Sequence, residues 1–297
     1  MPVYNNSTYL VEAIESILGQ TYSDFEFVIS DDGSQDDSNE IIARYAAQDS
    51  RIVHLSRTEN AGVIYTRNEL MEHVRGEWMA TMDSDDISSP NRLEVQMAFV
   101  DDHPSYDVVG SAAMLMDPDG NFMCEISGPR SHEEIDAWHM AAHSGTAFVS
   151  PTSIIRTEAL RAVGGYREQI GCAEDYDLFL RMAERGKLCT VPDVLLYYRQ
   201  HFSSIGYESN REQRAGIHRG VRDAYKRRDL TIPDGLLDES IPTRTESYAY
   251  RQWSEWSLRG GNVETARRYG WKAIALAPWS PRGWRAWVRA WAGRHVA

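Results

Sequence analysis

The chain has 297 residues, of which 42% are hydrophobic and 25% charged, and a formal net charge of −13. That length fills one large α/β domain and leaves about a fifth for an appendage, while the acidic balance and scattered Lys and Arg exclude a clustered basic face for nucleic acid. Cys124, Cys172 and Cys189 show no CxxC spacing, which argues against a disulfide framework or zinc knuckle; no apolar run approaches the roughly 18 to 20 residues of a membrane span and no signal sequence opens the chain, so a cytoplasmic body is expected.

Leu10, Val11, Ile14, Ile17 and Leu18 recur at helical spacing and predict a first helix over 8–19, capped at Ser7 or Thr8. A β-branched and aromatic run over 25–30 predicts a strand that stops at Asp31-Asp32-Gly33-Ser34, and a helix follows through Ile41, Ile42 and Tyr45. The alternation repeats as strand 52–56, helix 62–74 and strand 78–82, the last ending at Asp83-Ser84-Asp85-Asp86. It predicts an α/β fold whose mainly parallel sheet is flanked by helices on both faces. Ligands of such sheets sit at the carboxyl ends of the strands, where both acidic clusters fall.

Next come a helix over 92–99, a strand over 108–114 and the reversing turn Asp117-Pro118-Asp119-Gly120. Helical pattern returns over 133–142 and 158–163, then a turn at Gly164-Gly165-Tyr166 precedes a helix over 173–184 that opens with Glu174, Asp175 and Asp177. A strand over 193–198 ends in Arg199-Gln200-His201, and the core domain closes near Tyr207.

Three clusters carry chemistry. At Asp83-Ser84-Asp85-Asp86, carboxylate and phosphate oxygens can hold a hard cation that neutralises a departing diphosphate; in isolation the same residues make an acidic turn and helix cap ahead of Pro90. At Asp31-Asp32-Gly33-Ser34 a carboxylate can accept from a nucleobase imide N–H, although such a run is also a common capping turn. In Glu174-Asp175-Tyr176-Asp177-Leu178 a carboxylate can take the proton of an acceptor hydroxyl, or simply satisfy the helix dipole.

Taken together with Pro2-Val3-Tyr4-Asn5, Gln20-Thr21-Tyr22, Asn60-Ala61-Gly62, Arg67-Asn68, Gly164-Gly165-Tyr166 and Tyr198-Arg199-Gln200-His201, these clusters resemble family 2 of the nucleotide-sugar glycosyltransferases, which have the GT-A fold. The match runs from Met1 to about Gly206, and the order of so many motifs makes it far more specific than any one of them. The resemblance implies that Pro2, Val3 and Tyr4 line the nucleobase pocket, that Asp31 or Asp32 recognises the base, and that Asp83 approaches the ribose. Gly62, Ser84, Arg67, Arg199 and His201 fall on its donor side, Glu174 and Tyr176 on its acceptor side. Asp85, with His201, is its metal position for Mn²⁺ or Mg²⁺, and Asp175 its catalytic base. The implied reaction is a single in-line displacement with inversion, moving one sugar from a nucleotide diphosphate, UDP being the family's commonest carrier, to an acceptor hydroxyl in surface polysaccharide or glycolipid assembly. Cys172, close to these acids, is a packing residue.

Two departures matter. The apolar residues that usually precede Pro-Val-Tyr-Asn are missing, so the first strand is short, its loss should remove core packing, and the true start is expected upstream. The Gln-x-x-Arg-Trp signature of processive synthases is absent too, which favours single-sugar transfer.

The expected organisation is a GT-A domain over 1–207, a helix and linker over 208–243 marked by Pro233, Gly235 and Pro242, and helices over 244–297. In that last part Tyr250, Trp253, Gly261, Ala266, Ala273 and Pro278 follow the spacing of one tetratricopeptide-like hairpin, which cannot bury its own face and must pack on something. Trp284, Trp287, Val288 and Trp291 share one face of a final helix and Arg282, Arg285 and Arg289 another. This basic amphipathic helix either lies on an anionic membrane surface or buries its tryptophans in protein. Rival functions are a two-carboxylate glycoside hydrolase, which leaves the Asp83-Ser84-Asp85 pattern unexplained, and a noncatalytic nucleotide-sugar-binding or scaffold protein, against which the intact Asp85 and Asp175 speak. No GxGxxG supports a nicotinamide enzyme.

Overall fold

A computed structural model describes residues 1–204, 207, 209–237 and 245–292. Gly206 and Pro242, used above to end the core and mark the linker, lie outside them. The chain forms two compact units: Met1–Ala113, Ser127–Leu196 and Glu212–Asp238 in the first, Met114–Ile126, Tyr197–Arg211 and Glu239–Ala297 in the second.

In the first unit, β1 (Pro2–Val3), β2 (Phe27–Asp31) and β3 (Ile52–Ser56) pair in parallel, with Pro2 opposite Ser30 and Val3 opposite Asp31. Every residue of β2 is buried, as a central parallel strand requires. Helix α1 (Ser7–Leu18) buries Leu10, Ala13, Ile14 and Ile17, the apolar stripe read from the sequence. Helices α2 (Ser38–Ala46) and α3 (Val63–His73) follow β2 and β3.

The remaining strands are β4 (Trp78–Ala80), β5 (Ile87–Ser88), β6 (Tyr106–Met116), β7 (Phe122–Ile126), β8 (Ile154–Arg156) and β9 (Lys187–Arg199), in the order β4-β8-β6-β9-β5 with β7 on β6. The first three strands pair in parallel as expected, while β8 joins β4 and β6 antiparallel. The β8 segment has only three residues, too short for any periodicity to show, which is why the sequence did not announce it. Helices α4 (Arg92–Asp102), α5 (His132–Met140), α6 (Thr157–Ala162) and α7 (Glu174–Ala183) complete this part. In the 18-residue α8 (Asn210–Arg227), Ile217, Val221 and Ala224 pack on Tyr176 and Leu180 of α7.

Beside the two-residue β1 the first unit holds a cleft of about 720 Å³. Met1, Phe27 and Val28 line one side and Trp78, Met79 and Ala80 the other, with Arg67 and Asp83 also in the lining. The lining mixes buried apolar side chains such as Phe27, Val28 and Leu70 with exposed charged ones such as Asp24, Arg75 and Glu77.

The second unit contains β7, the ends of β6 and β9, and helices α9 (Glu246–Arg259), α10 (Val263–Leu276) and α11 (Pro281–Ala292). The first two form the expected hairpin, capped by Thr245 and Asn262 and tied by Ser254 Oγ to the Ala266 carbonyl. Its inner face meets β7 through Leu115, Met123, Trp253 and Tyr269, so one repeat finds its packing partner within this unit. No helix among the described residues is long and apolar enough to cross a membrane.

Candidate active site

The loops after β1, β2 and β4 are latched together by small polar side chains. Asn5, in the left-handed region at φ 48°, donates its N–H to Ser34 Oγ and accepts from the Gln35 N–H through its side chain. Asn6 Nδ2 donates to Ser84 Oγ at 2.7 Å. Gly33 turns at φ 76°, and a Cβ there would lie 2.8 Å from the Glu59 carbonyl carbon, so only glycine lets the 31–34 and 59–60 loops touch.

The two acids at the end of β2 have different tasks. Asp32 is spent on structure: its carboxylate accepts from the Ala61 and Gly62 N–H groups at 2.9 and 2.8 Å and pairs with Arg57 at 2.9 Å. Asp31 is equally buried, yet its Oδ1 has no hydrogen-bond partner among the described residues, while Oδ2 takes only a long bond from the Ser34 N–H. A buried carboxylate oxygen without a donor is costly unless a ligand supplies one. Val3 is buried, and Tyr4 is exposed.

The decisive convergence joins segments far apart in sequence. Arg67 on α3 donates to Asp83 Oδ1 at 3.1 Å and to Glu174 Oε1 at 2.5 Å, and its guanidinium lies 5.7 Å from the Tyr166 ring centroid. Burial pushes the Asp83 carboxyl up, against the pull of Arg67, and the charges of Asp85 and Asp175 push it further. Glu174 is raised likewise by burial, opposed by Arg67 and reinforced by Asp175. Arg67 itself is held above its ordinary value: burial opposes its charge, but Glu174 and Asp83 outweigh that. Four carboxylates thus share a site with one guanidinium.

Asp175 is half-buried in the first turn of α7, where its Oδ1 accepts the Tyr176 N–H at 2.7 Å. Ala173 enters the helix at φ 75°, an uncommon conformation for a residue with a Cβ, and this aims the first turn. Asp177 is fully buried between Arg167 and Arg181, and Arg181 also donates to the Val163 and Gly165 carbonyls. Asn68 clamps the same turn, exchanging two hydrogen bonds with the Tyr166 backbone.

Tyr176, expected on the acceptor side, needs correction: its ring is buried and its hydroxyl donates to the His139 carbonyl at 2.8 Å, so it holds α7 against α5. Glu174, expected there too, is a buried partner of Arg67. Arg199 and His201 lie in the second unit, where Arg199 donates to the Pro118 carbonyl and His201 Nδ1 meets Ser203 Oγ.

Sequence reasoning missed the support beneath the acidic loop. Arg92 is fully buried, donates to the Thr81 and Ser153 carbonyls and to Gln96, and is lowered to about 10 by burial, with Asp86 and Asp83 opposing. Gln96 in turn donates to the Val109 and Thr152 carbonyls. The signal was a polar pair spaced i, i+4 on the face of α4 that meets the sheet.

The carboxylates of the acidic loop are oxygen donors of the kind a hard divalent cation takes. Among the described residues no group of three or more His, Cys, Asp or Glu forms an all-protein metal cage.

Residues 1–163 match Glycosyl transferase family 2. EpsE of Bacillus subtilis is 36% identical over 189 residues, which are 63% of this chain and 66% of that one, so the chain spans just under two thirds of that relative. Among solved structures, S. aureus TarS 1–349 in complex with UDP-GlcNAc aligns with 97% of this chain and 77% of its own, at 18% identity and a TM-score of 0.61. The mannosyltransferase PcManGT from Pyrobaculum calidifontis, in complex with GDP-Man and Mn²⁺, covers 98% of this chain and 78% of its own, at 20% identity and a TM-score of 0.57. These likenesses show the GT-A fold.

Proposed function

We propose, from the premise that the chain belongs to glycosyl transferase family 2, that it moves a single sugar from a nucleotide diphosphate donor to an acceptor hydroxyl with inversion at the anomeric carbon. The observation that supports this reading is the meeting of Asp83, Glu174 and Asp175 around Arg67.

Asp31 offers the acceptor for a base imide N–H, and UDP is the first candidate carrier. Asp175 takes the acceptor hydroxyl proton. The freed oxygen attacks the anomeric carbon, the bond from that carbon to the phosphate oxygen breaks, and its electron pair leaves with the diphosphate. A divalent cation at Asp85 would supply charge neutralisation for that diphosphate, and the Mn²⁺ of PcManGT supports this assignment. Arg67 engages the Glu174 carboxyl beside the base. Arg199 and His201 remain proposed donor-side residues on the strength of the family motif alone. Domain limits at 207 and 243, and a role in surface polysaccharide or glycolipid assembly, belong to the same proposal.

The test is calorimetric titration of UDP, GDP and TDP, each with and without Mn²⁺, into the wild type, Asp85→Ala and Asp175→Asn. Metal-dependent binding of one nucleotide, lost in Asp85→Ala and kept in Asp175→Asn, is expected. Absence of nucleotide binding by folded wild-type protein refutes the proposal.

A further inference from the structure

The C-terminal helices carry a surface that glycosyl transfer does not use. On α11 the residues turned into the second unit are small, Gly283, Ala286 and Ala290. The large apolar residues point out: Trp284, Val288 and Trp291 are each about half exposed, and Trp279 in the preceding turn is 93% exposed. Trp287, between them, is only partly exposed and lies against Gly270 of α10. Around the helix circumference the buried small residues occupy one sector, the tryptophans and Val288 a second, and the exposed Arg282, Arg285 and Arg289 a third that borders it.

Charge identifies the occupant. Beyond Glu264 the chain holds seven basic side chains and no acidic one, although its net charge is −13. We infer that α11 and the turn before it dock on an anionic lipid bilayer, with tryptophans in the interface and the arginines reaching lipid headgroups. A sugar chain fits the surface less well, because the rings of Trp284 and Trp287 meet at 85° and those of Trp287 and Trp291 at 61°, leaving no flat platform for stacked pyranoses. A second copy presenting the same basic sector would repel it.

Co-sedimentation of the whole chain with phosphatidylcholine vesicles, alone or mixed with phosphatidylglycerol, tests this. Binding to the mixed vesicles only, weakened by salt, is expected. Each arginine contributes about fivefold, so Arg282→Glu/Arg285→Glu/Arg289→Glu should bind more than roughly a hundredfold more weakly. Trp279→Ser/Trp291→Ser should also lose binding, and unchanged melting temperatures show that both variants fold. The inference is overturned by equal or absent sedimentation of the folded wild type with both vesicles, by full binding of the tryptophan variant, or by a solution dimer that the tryptophan variant dissociates.

Discussion

Arg67 Nη1 and Glu174 Oε1 lie 2.5 Å apart although 107 residues separate them in sequence. The other end of the guanidinium holds Asp83, so one side chain couples the acidic strand end to the helix that starts with Asp175. Lysine keeps the charge but cannot fork to two carboxylates. Removing the arginine leaves the buried Glu174 and the half-buried Asp83 uncompensated, at a cost of up to about 3–5 kcal/mol. Arg67→Ala is expected to lower the urea midpoint accordingly. Arg67→Lys should keep more of the stability yet lose roughly a hundredfold in kcat/KM, because misplacing the base by about 1 Å suffices for that. Full turnover by folded Arg67→Lys would show that the bridge does not position the site.

The contrast between Asp31 and Asp32 predicts two different phenotypes. Asp31→Asn removes a charged acceptor whose hydrogen bond is worth about 1.5–3 kcal/mol, so nucleotide affinity should fall roughly ten- to a hundredfold with little change in melting temperature. Asp32→Asn weakens the hold on Ala61, Gly62 and Arg57, and should lower the melting temperature as well. Calorimetry and thermal melts on the same samples separate the two. Equal affinity in Asp31→Asn would remove that residue from base recognition.

Much of this was legible in the sequence, for physical reasons that also mark where legibility ended. Leu10, Ile14 and Ile17 repeat with the period of α1, and the apolar run before Asp31 has the composition of a strand buried on both faces. Ile87–Ser88 and Ile154–Arg156 are too short to carry a period, so β5 and β8 became visible only once neighbouring strands were in place. The acids of the site announced themselves by type and position. Their division of labour did not: which of Asp31 and Asp32 is spent on a loop, and that Tyr176 turns inward, depend on partners distant in sequence.

Tyr269 and Asp117 make a comparable contact in the second unit. The Tyr269 hydroxyl donates to Asp117 Oδ2 at 2.9 Å, and both residues are buried. Arg268 pairs with the same carboxylate, and Asn121 donates to it from backbone and side chain. Tyr269→Phe therefore removes one donor of several and should cost about 1 kcal/mol. Asp117→Ala strands all of them and should cost about 3–5 kcal/mol. Denaturant titration with a larger effect for the tyrosine change would contradict this ordering.

His139 supplies a pH dependence. It is fully buried on α5, its Nε2 accepts the Ala147 N–H, and burial lowers it from 6.5 to about 3, with Asp136 opposing and Arg228 assisting. Between those values the unfolded chain binds a proton that the folded chain refuses. Stability from this group is therefore full above pH 6.5 and is lost as pH falls toward 3, at up to about 1.4 kcal/mol per pH unit. His139→Gln, which keeps an acceptor for Ala147, should flatten the acid limb of a urea-midpoint profile. Identical acid limbs for the two proteins would assign the loss to other groups.

Gly216 tests how tightly α8 braces the site. In an open helix, Gly→Ala stabilises by about 1 kcal/mol. Here a Cβ would lie 1.7 Å from the Cys172 carbonyl oxygen and 3.2 Å from that of Ile170. The obstacle is backbone, so either α8 or the segment leading into α7 has to move, and overpacking of this kind costs about 1–3 kcal/mol. That outweighs the helical gain, so Gly216→Ala should lower the melting temperature. The segment that would yield runs directly into Ala173, whose left-handed conformation aims Glu174 and Asp175. A displaced base lowers kcat while nucleotide affinity stays unchanged, and calorimetry beside steady-state kinetics distinguishes this from general unfolding. A stabilised Gly216→Ala protein with normal kcat would show that α8 does not press on the entry to α7.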